Sequence, residues 1–285
     1  MMRDFDKLWD YNQPAETEHK FRDLLTQVEA SADQGYVAEL LTQIARTQGL
    51  QRKFTEAHET LNQVETMLDD NMKSAQIRYL LERGRVYNSS SQQSDARPLF
   101  AQAWEIGIAC GEDDYAVDAA HMLGIAESTP ELRMEWNLKA LAYAEEHPDA
   151  KRWLGSLYNN IGWLQVEAGN LVEALDLFER ALRFRQEQGN AGTIFIAKWC
   201  VAKVLRLMNK TQQALEIQME LLSESERSHN PDGYVNEELG ECLLSLDRRM
   251  EAQPYFARAY EMLSLDQWLV EHEPERLARL KELGK

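Results

Sequence analysis

Ten side chains in this sequence combine charge, amide or large aromatic surface with a regular placement: Arg46, Arg78, Arg85, Asn88, His121, Asn159, Trp163, Trp199, Lys203 and Arg206. The chemistry they offer is non-covalent. Guanidinium and ammonium groups attract carboxylates, amides grip a peptide backbone in both directions, and indole rings give large rigid contact areas. Nothing accompanies them that would make or break a bond. The six histidines have no metal-ligand spacing with one another or with cysteine, no Gly-rich loop precedes a Lys-Ser or Lys-Thr pair, and there is no nucleophile-elbow motif. The acid pairs Asp113-Asp114 and Glu145-Glu146 fall at element ends or linkers, where solvated charge is their expected role. The residues predict binding with no catalysis, no cofactor and no metal.

Their placement is set by an internal repeat. A small residue recurs at Ala45, Gly84, Gly124, Gly162, Ala202 and Gly240, in steps of 39, 40, 38, 40 and 38 residues. Each of the ten side chains lies six or three residues before such a residue, or one or four after it, and those offsets share one face of an α-helix. The same stripe takes in Glu39, Thr42, Leu81, Asp118, Ile196, Tyr234, Glu237 and Glu241. A period of this length is the signature of a solenoid.

Each unit reads as two amphipathic helices joined by a short turn. Glu56-Ala57, Asp95-Ala96, Glu173-Ala174, Gln213-Ala214 and Glu251-Ala252 stand eleven and twelve residues past the small residue, which fixes the register of the second helix. The third unit is three residues shorter, the deletion falling around "ESTPEL", so its turn is expected to be tighter. There Thr129 and Pro130 read as N-cap and first-turn proline. Neither helix pair can bury its apolar face alone, so neighbouring pairs must stack.

These residues carry a family resemblance. Tyr158-x-x-Ile161-Gly162, then Gly169-Asn170-Leu171-x-Glu173-Ala174, Phe178 and Ala181-Leu182 resemble the tetratricopeptide repeat. The period exceeds that family's usual unit, the extra residues falling in polar linkers such as "EEHPDAKR". The resemblance implies an all-α, right-handed superhelical solenoid whose first helices line a concave side. It spans 37–264, leaving 1–36 and 265–285 as capping regions; within these, 15–31 reads as a lone amphipathic helix and "EPERLARLKELGK" as a last solvating one. The chaperone-binding subclass is not supported: where its clamp needs Lys and Asn, this chain has Thr42 and Arg46, Leu81 and Arg85, or Asn159 and Trp163. A weaker likeness is to bacterial peptide-responsive regulators, which hold signal peptides through Asn side chains; Asn88 and Asn159 suit that role.

Charge sharpens the expectation. A net charge of −17 and a sequence pI near 4.8 disfavour nucleic acid as partner. The predicted first helices, 84 residues in all, carry 7 basic and 8 acidic residues, so the acidity lies elsewhere. A near-neutral groove within an acidic shell predicts a protein or peptide ligand that is partly anionic. The start of the chain lacks a secretory pattern, no apolar run suits a membrane span, and Cys110, Cys200 and Cys242 read as reduced, buried thiols of a cytoplasmic protein.

Alternatives stay open at this level. Arg46, Arg78 and Arg85 equally suit pairing with acids on adjacent helices, Trp163 and Trp199 suit core packing, and His121 suits a satisfied interior site. In function, an adaptor that captures a segment of another protein stands beside a sensor of a small signal peptide. A self-assembling scaffold, with Trp268, Leu269 and the last helix covering a neighbouring copy, is a third reading; monomer and homodimer are both open.

Overall fold

Glycine meets phenylalanine at the heart of three repeats. A Cβ placed on Gly84, Gly162 or Gly240 would come within 2.5, 2.8 or 2.7 Å of the ring of Phe100, Phe178 or Phe256, each sixteen residues further on. All three rings are buried to 1% exposure or less, and each such burial contributes about 2–3 kcal/mol. Where the small residue is alanine the partner shrinks: Ala45 pairs by register with buried Leu61, and Ala202 with buried Gln218. Helix-to-helix distance is thus set by matching a missing Cβ to a large ring.

The computed structural model describes residues 3–28 and 33–285. Among them are fifteen α-helices and no strand. They divide into two compact units, Met1–Leu157 and Tyr158–Lys285. The first holds a 3-10 turn (Asp4–Leu8), α1 (Pro14–Val28), α2 (Gln34–Leu50), α3 (Phe54–Met67), α4 (Lys73–Ser89), α5 (Gln93–Cys110), α6 (Asp113–Ala126), α7 (Pro130–Glu146) and a second 3-10 stretch (Pro148–Trp153). The division falls inside α8 (Leu154–Glu167). The second unit continues with α9 (Leu171–Gln188), α10 (Ala191–Leu207), α11 (Thr211–Arg227), α12 (Gly233–Ser245), α13 (Arg249–Leu263), α14 (Gln267–His272) and α15 (Pro274–Leu283).

Helices pack on their sequence neighbours, α2 on α3, α4 on α5 and α6 on α7 in the first unit, α10 on α11 and α12 on α13 in the second. First helices also touch first helices: α2 meets α4, α4 meets α6, and α10 meets α12. These are the helix pairs expected from the repeat. The predicted N-terminal helix is α1, which begins at Pro14; its expected last residues, 29–31, lie outside the described residues.

The shorter third unit does not have a tighter turn. Every pair is joined by three residues, 127–129 in this unit as elsewhere. The deletion instead shortens α6, which ends two residues after Gly124, whereas its counterparts run five residues past theirs. Elsewhere the middle turn residue is left-handed: Arg52, Ser91, Gly169, Asn209 and Asp247 have φ of 61°, 63°, 80°, 62° and 59°. The third turn uses capping in place of that reversal, with Thr129 Oγ1 accepting from the Leu132 N–H at 3.3 Å ahead of Pro130. The change propagates into the core. Asn137 takes the slot of the phenylalanine, fully buried, and donates to the backbone oxygens of Arg133 (2.8 Å) and Gly124 (3.3 Å).

At the C-terminus α15 covers its own chain. It packs on α13, burying Leu277 and Leu280, and Leu269 of α14 is buried in the same core. The scaffold reading needed the apolar side chains of this region for another copy; Leu269, Leu277 and Leu280 are buried within the chain, while Trp268 is 52% exposed. Cys200 and Cys242 are buried as expected, but Cys110, the last residue of α5, is exposed. No described helix is long and apolar enough to cross a membrane.

Candidate functional site: the first-helix faces

In the first unit the predicted arginines stand in ion pairs that step from one first helix to the next. Arg46 of α2 donates to both carboxylate oxygens of Glu82 on α4, each at 3.1 Å. Glu82 also accepts from Arg85 at 2.6 Å, and Arg85 pairs with Asp118 of α6. A second chain joins Arg3, Glu39, Arg78 and Asp6: Arg3 reaches Glu39 at 2.6 Å, and Arg78 lies 3.2 Å from Glu39 while donating to both oxygens of Asp6. The plainer reading of these three arginines therefore describes their present partners. Burial opposes the charge on Arg78, but Asp6 and Glu39 outweigh it and the guanidinium is held above its ordinary range. Asp118 is the converse case: burial would raise its pKa, and Arg85 and Arg46 instead hold it below the usual carboxylate range.

Part of this surface is filled from the N-terminus. The Trp9 indole N–H donates to Gln43 of α2 at 3.0 Å. Trp9 and Tyr11 stack at 4.6 Å, and the Arg46 guanidinium lies 5.8 and 5.5 Å from their centroids. A pocket of about 370 Å³ remains, lined in part by Trp9, Tyr11, Arg46, Arg85, Arg152 and Trp153. Beside it His121 packs on Trp153 at 5.1 Å. Burial pushes the His121 pKa down, and its Nδ1 has no hydrogen-bond partner among the described residues. Asn88 stands apart, half-buried in a separate pocket with Ser91, Arg97 and Glu127.

The second unit presents aromatic rings. Trp163 of α8 lies 6.1 Å from Trp199 of α10, and Trp199 lies 6.2 Å from Tyr234 of α12, donating its indole N–H to the Tyr234 carbonyl at 3.3 Å. Lys203 sits between the indoles, its Nζ 4.7 Å from the Trp199 centroid and 5.8 Å from that of Trp163, and 3.3 Å from Glu238. Arg206 grips Glu238 with two bonds of 2.7 and 3.0 Å. Trp163 also packs edge-on against Phe178, so it serves core and surface together. Asn159 accepts from the buried Cys200 thiol at 3.4 Å. Ile196 and Tyr234, at equivalent repeat positions, stay exposed at 59% and 36%.

Sequence reasoning missed the contributors from outside the repeats. Arg3, Asp6, Trp9 and Tyr11 come from the N-terminus, and Arg276 and Arg279 of α15 pair with Glu237 and Glu241 of α12. A search for opposite charges one period apart would have found three of them, since Arg3–Glu39, Glu237–Arg276 and Glu241–Arg279 are 36, 39 and 38 residues apart.

Paired helices with a small-residue contact, repeated in tandem, define the fold of tetratricopeptide-repeat proteins. No protein-family model matches the chain. Over 130 residues it is 29% identical to outer dynein arm-docking complex subunit 4 of Bos taurus, a match spanning 46% of this chain and 18% of that protein. Among solved structures, a signal transduction ATPase with numerous domains and a tetratricopeptide repeat sensor, from Pyrococcus horikoshii, aligns with a TM-score of 0.72 at 14% identity. That alignment covers 94% of this chain and 42% of the other. NprR in complex with its cognate peptide NprX aligns at 0.61 and 14% identity, covering 94% of this chain and 78% of that one.

Proposed function

We infer that this chain is a non-catalytic interaction adaptor that takes up a peptide-like, partly anionic segment of a partner protein on its first-helix faces. The observation that carries the reading is the second unit's run of Trp163, Trp199 and Tyr234, with Lys203 between the indoles and Ile196 exposed alongside. Rigid rings give contact area at small entropic cost, and an ammonium beside them favours a carboxylate-bearing ligand. Asn159 and Arg206 flank this run, while Arg46, Arg78, Arg85, Asn88 and His121 would serve on the first unit. Three free thiols suit a reducing, cytosolic compartment. The docking-complex relative is consistent with an adaptor.

A sensor of a small signal peptide is the second reading, favoured by the likeness to NprR, whose structure holds a cognate peptide. The test is capture from cytosol by wild type and by a folded Trp199→Ala/Lys203→Ala variant, with mass spectrometry. A protein held by wild type alone supports the adaptor. Capture of only a short peptide supports the sensor, and equal capture by both proteins sinks this face as the site.

A further inference from the structure

The first-helix face of the first unit already holds a peptide segment: the chain's own residues 3–11. Asp6 takes Arg78 of α4 through two hydrogen bonds, Arg3 takes Glu39 of α2, and Trp9 takes Gln43 of α2 while its ring faces Arg46. Glu39, Arg46 and Arg78 all stand at the repeat positions expected to face a ligand. The segment is therefore a worked example of what this surface recognises: a carboxylate three residues ahead of an aromatic ring.

The resident segment leaves something unused. Arg46 Nε is buried without a hydrogen-bond partner among the described residues, and the pocket beside Trp9 and Tyr11 has Arg85 and Arg152 on its wall, paired with Asp118 and Asp114. Phe5 anchors the segment in the core at 1% exposure, whereas Tyr11 is 58% exposed, so the hold weakens along the segment toward the pocket.

We propose that this face is a recognition site for a partner segment of the pattern acid-x-x-aromatic, and that residues 3–11 are its resident competitor. The partner's carboxylate goes to Arg78 and its ring goes over Arg46. The proposal rests on the reading that first-helix faces bind peptide-like segments, and it adds the ligand class and the occupant to be displaced. A cis occupant multiplies the apparent affinity by the fraction of molecules in which the face is open.

The test uses the full chain and a fluorescein-labelled peptide of the sequence of residues 3–12, followed by anisotropy. Asp6→Asn/Trp9→Ala in the protein weakens the competitor, so the peptide is expected to bind at least about tenfold more tightly than to wild type. A peptide keeping only Asp and Trp at their spacing, in an Ala/Ser background, should bind within about threefold of the parent, and one carrying the same two substitutions should lose about tenfold. Equal affinity for the two proteins, no binding to the folded variant, or undiminished binding of the substituted peptide overturns the proposal. Should the double variant lose helicity, Tyr11→Ala takes its place, with about threefold tighter binding expected and no change overturning it. Trp199→Ala/Lys203→Ala lies in the other unit and should leave peptide binding unaltered, so failure of partner capture and failure of this site are read separately.

Discussion

Asp6 and Arg78 are 72 residues apart in sequence, yet they meet through paired hydrogen bonds of 3.0 and 2.6 Å. Both side chains are nearly withdrawn from solvent, 11% and 5% exposed. A bidentate pair in that setting fixes the N-terminal segment to the second repeat and neutralises a guanidinium that would otherwise be stranded beside Glu39 alone.

Asp6→Ala is expected to destabilise the first unit by about 2–3 kcal/mol, less than a fully uncompensated buried charge because Glu39 remains beside Arg78. Urea unfolding followed by circular dichroism measures it. A loss under about 0.5 kcal/mol would mean the pair contributes no more than a surface bridge.

Gly84→Ala puts a methyl against the Phe100 ring and should cost about 1–3 kcal/mol by overpacking. The chain contains its own remedy in the Ala45 and Leu61 combination, so adding Phe100→Leu is expected to recover part of the loss. A double-mutant cycle with no coupling between the two sites would refute size matching as the rule of the interface.

Stability should fall as the pH drops from about 7.5 to 5.5. His58 and His121 are both pushed below the ordinary histidine value near 6.5 by burial, with Arg83 beside the first and Arg85 opposed by Asp118 beside the second. Above the unfolded pKa both states are neutral and there is no penalty. Below it the unfolded chain takes up protons that the folded one refuses, until the lowered folded pKa is passed. Asp118, held below its usual range, adds its own loss only at more acid pH. His121→Phe should flatten the slope between 7.5 and 5.5; an unchanged slope would exclude His121 as a contributor.

One thiol should react quickly in the native protein. Cys110 is exposed, whereas burial pushes the Cys200 and Cys242 thiols up to about 12. A thiol-reactive chromophore should count one fast group, and the remainder only after denaturation. Fast reaction of Cys200 would show that its contact with Asn159 opens readily.

The helix pairs were legible because Gly84, Gly162 and Gly240 announce close contact at a fixed interval, where any added side chain would press on a phenylalanine ring. The third pair was misjudged because a deletion read from alignment gives its length and not its location; nothing in "ESTPEL" tells that α6 gives up the residues while the turn keeps its three. Buried Asn137 and Gln218 were equally invisible, since a polar residue in an aromatic slot has no periodic signature. For the candidate site, the stripe positions were readable from spacing alone. Some of their partners were not, because Arg3, Asp6 and Arg276 lie outside the repeats, and a stripe drawn on one helix does not reveal what lies across from it.

The stepped ion pairs carry a consequence for how such an array can change. Arg46 on α2 answers Glu82 on α4, and Arg85 on α4 answers Asp118 on α6, so neighbouring first helices are keyed to each other and differ in their keys. Copying the second repeat in tandem would set α4 against α4, placing one copy's Arg78 where Glu39 now stands and the other copy's Arg78 where Asp118 now stands, since these three share one repeat position. Like charges would then meet in a nearly dry interface. The helix-pair architecture tolerates duplication and reshuffling, but these charges do not: they specify the order of the repeats, and any descendant that gains or loses one must rewrite the seam on either side of it.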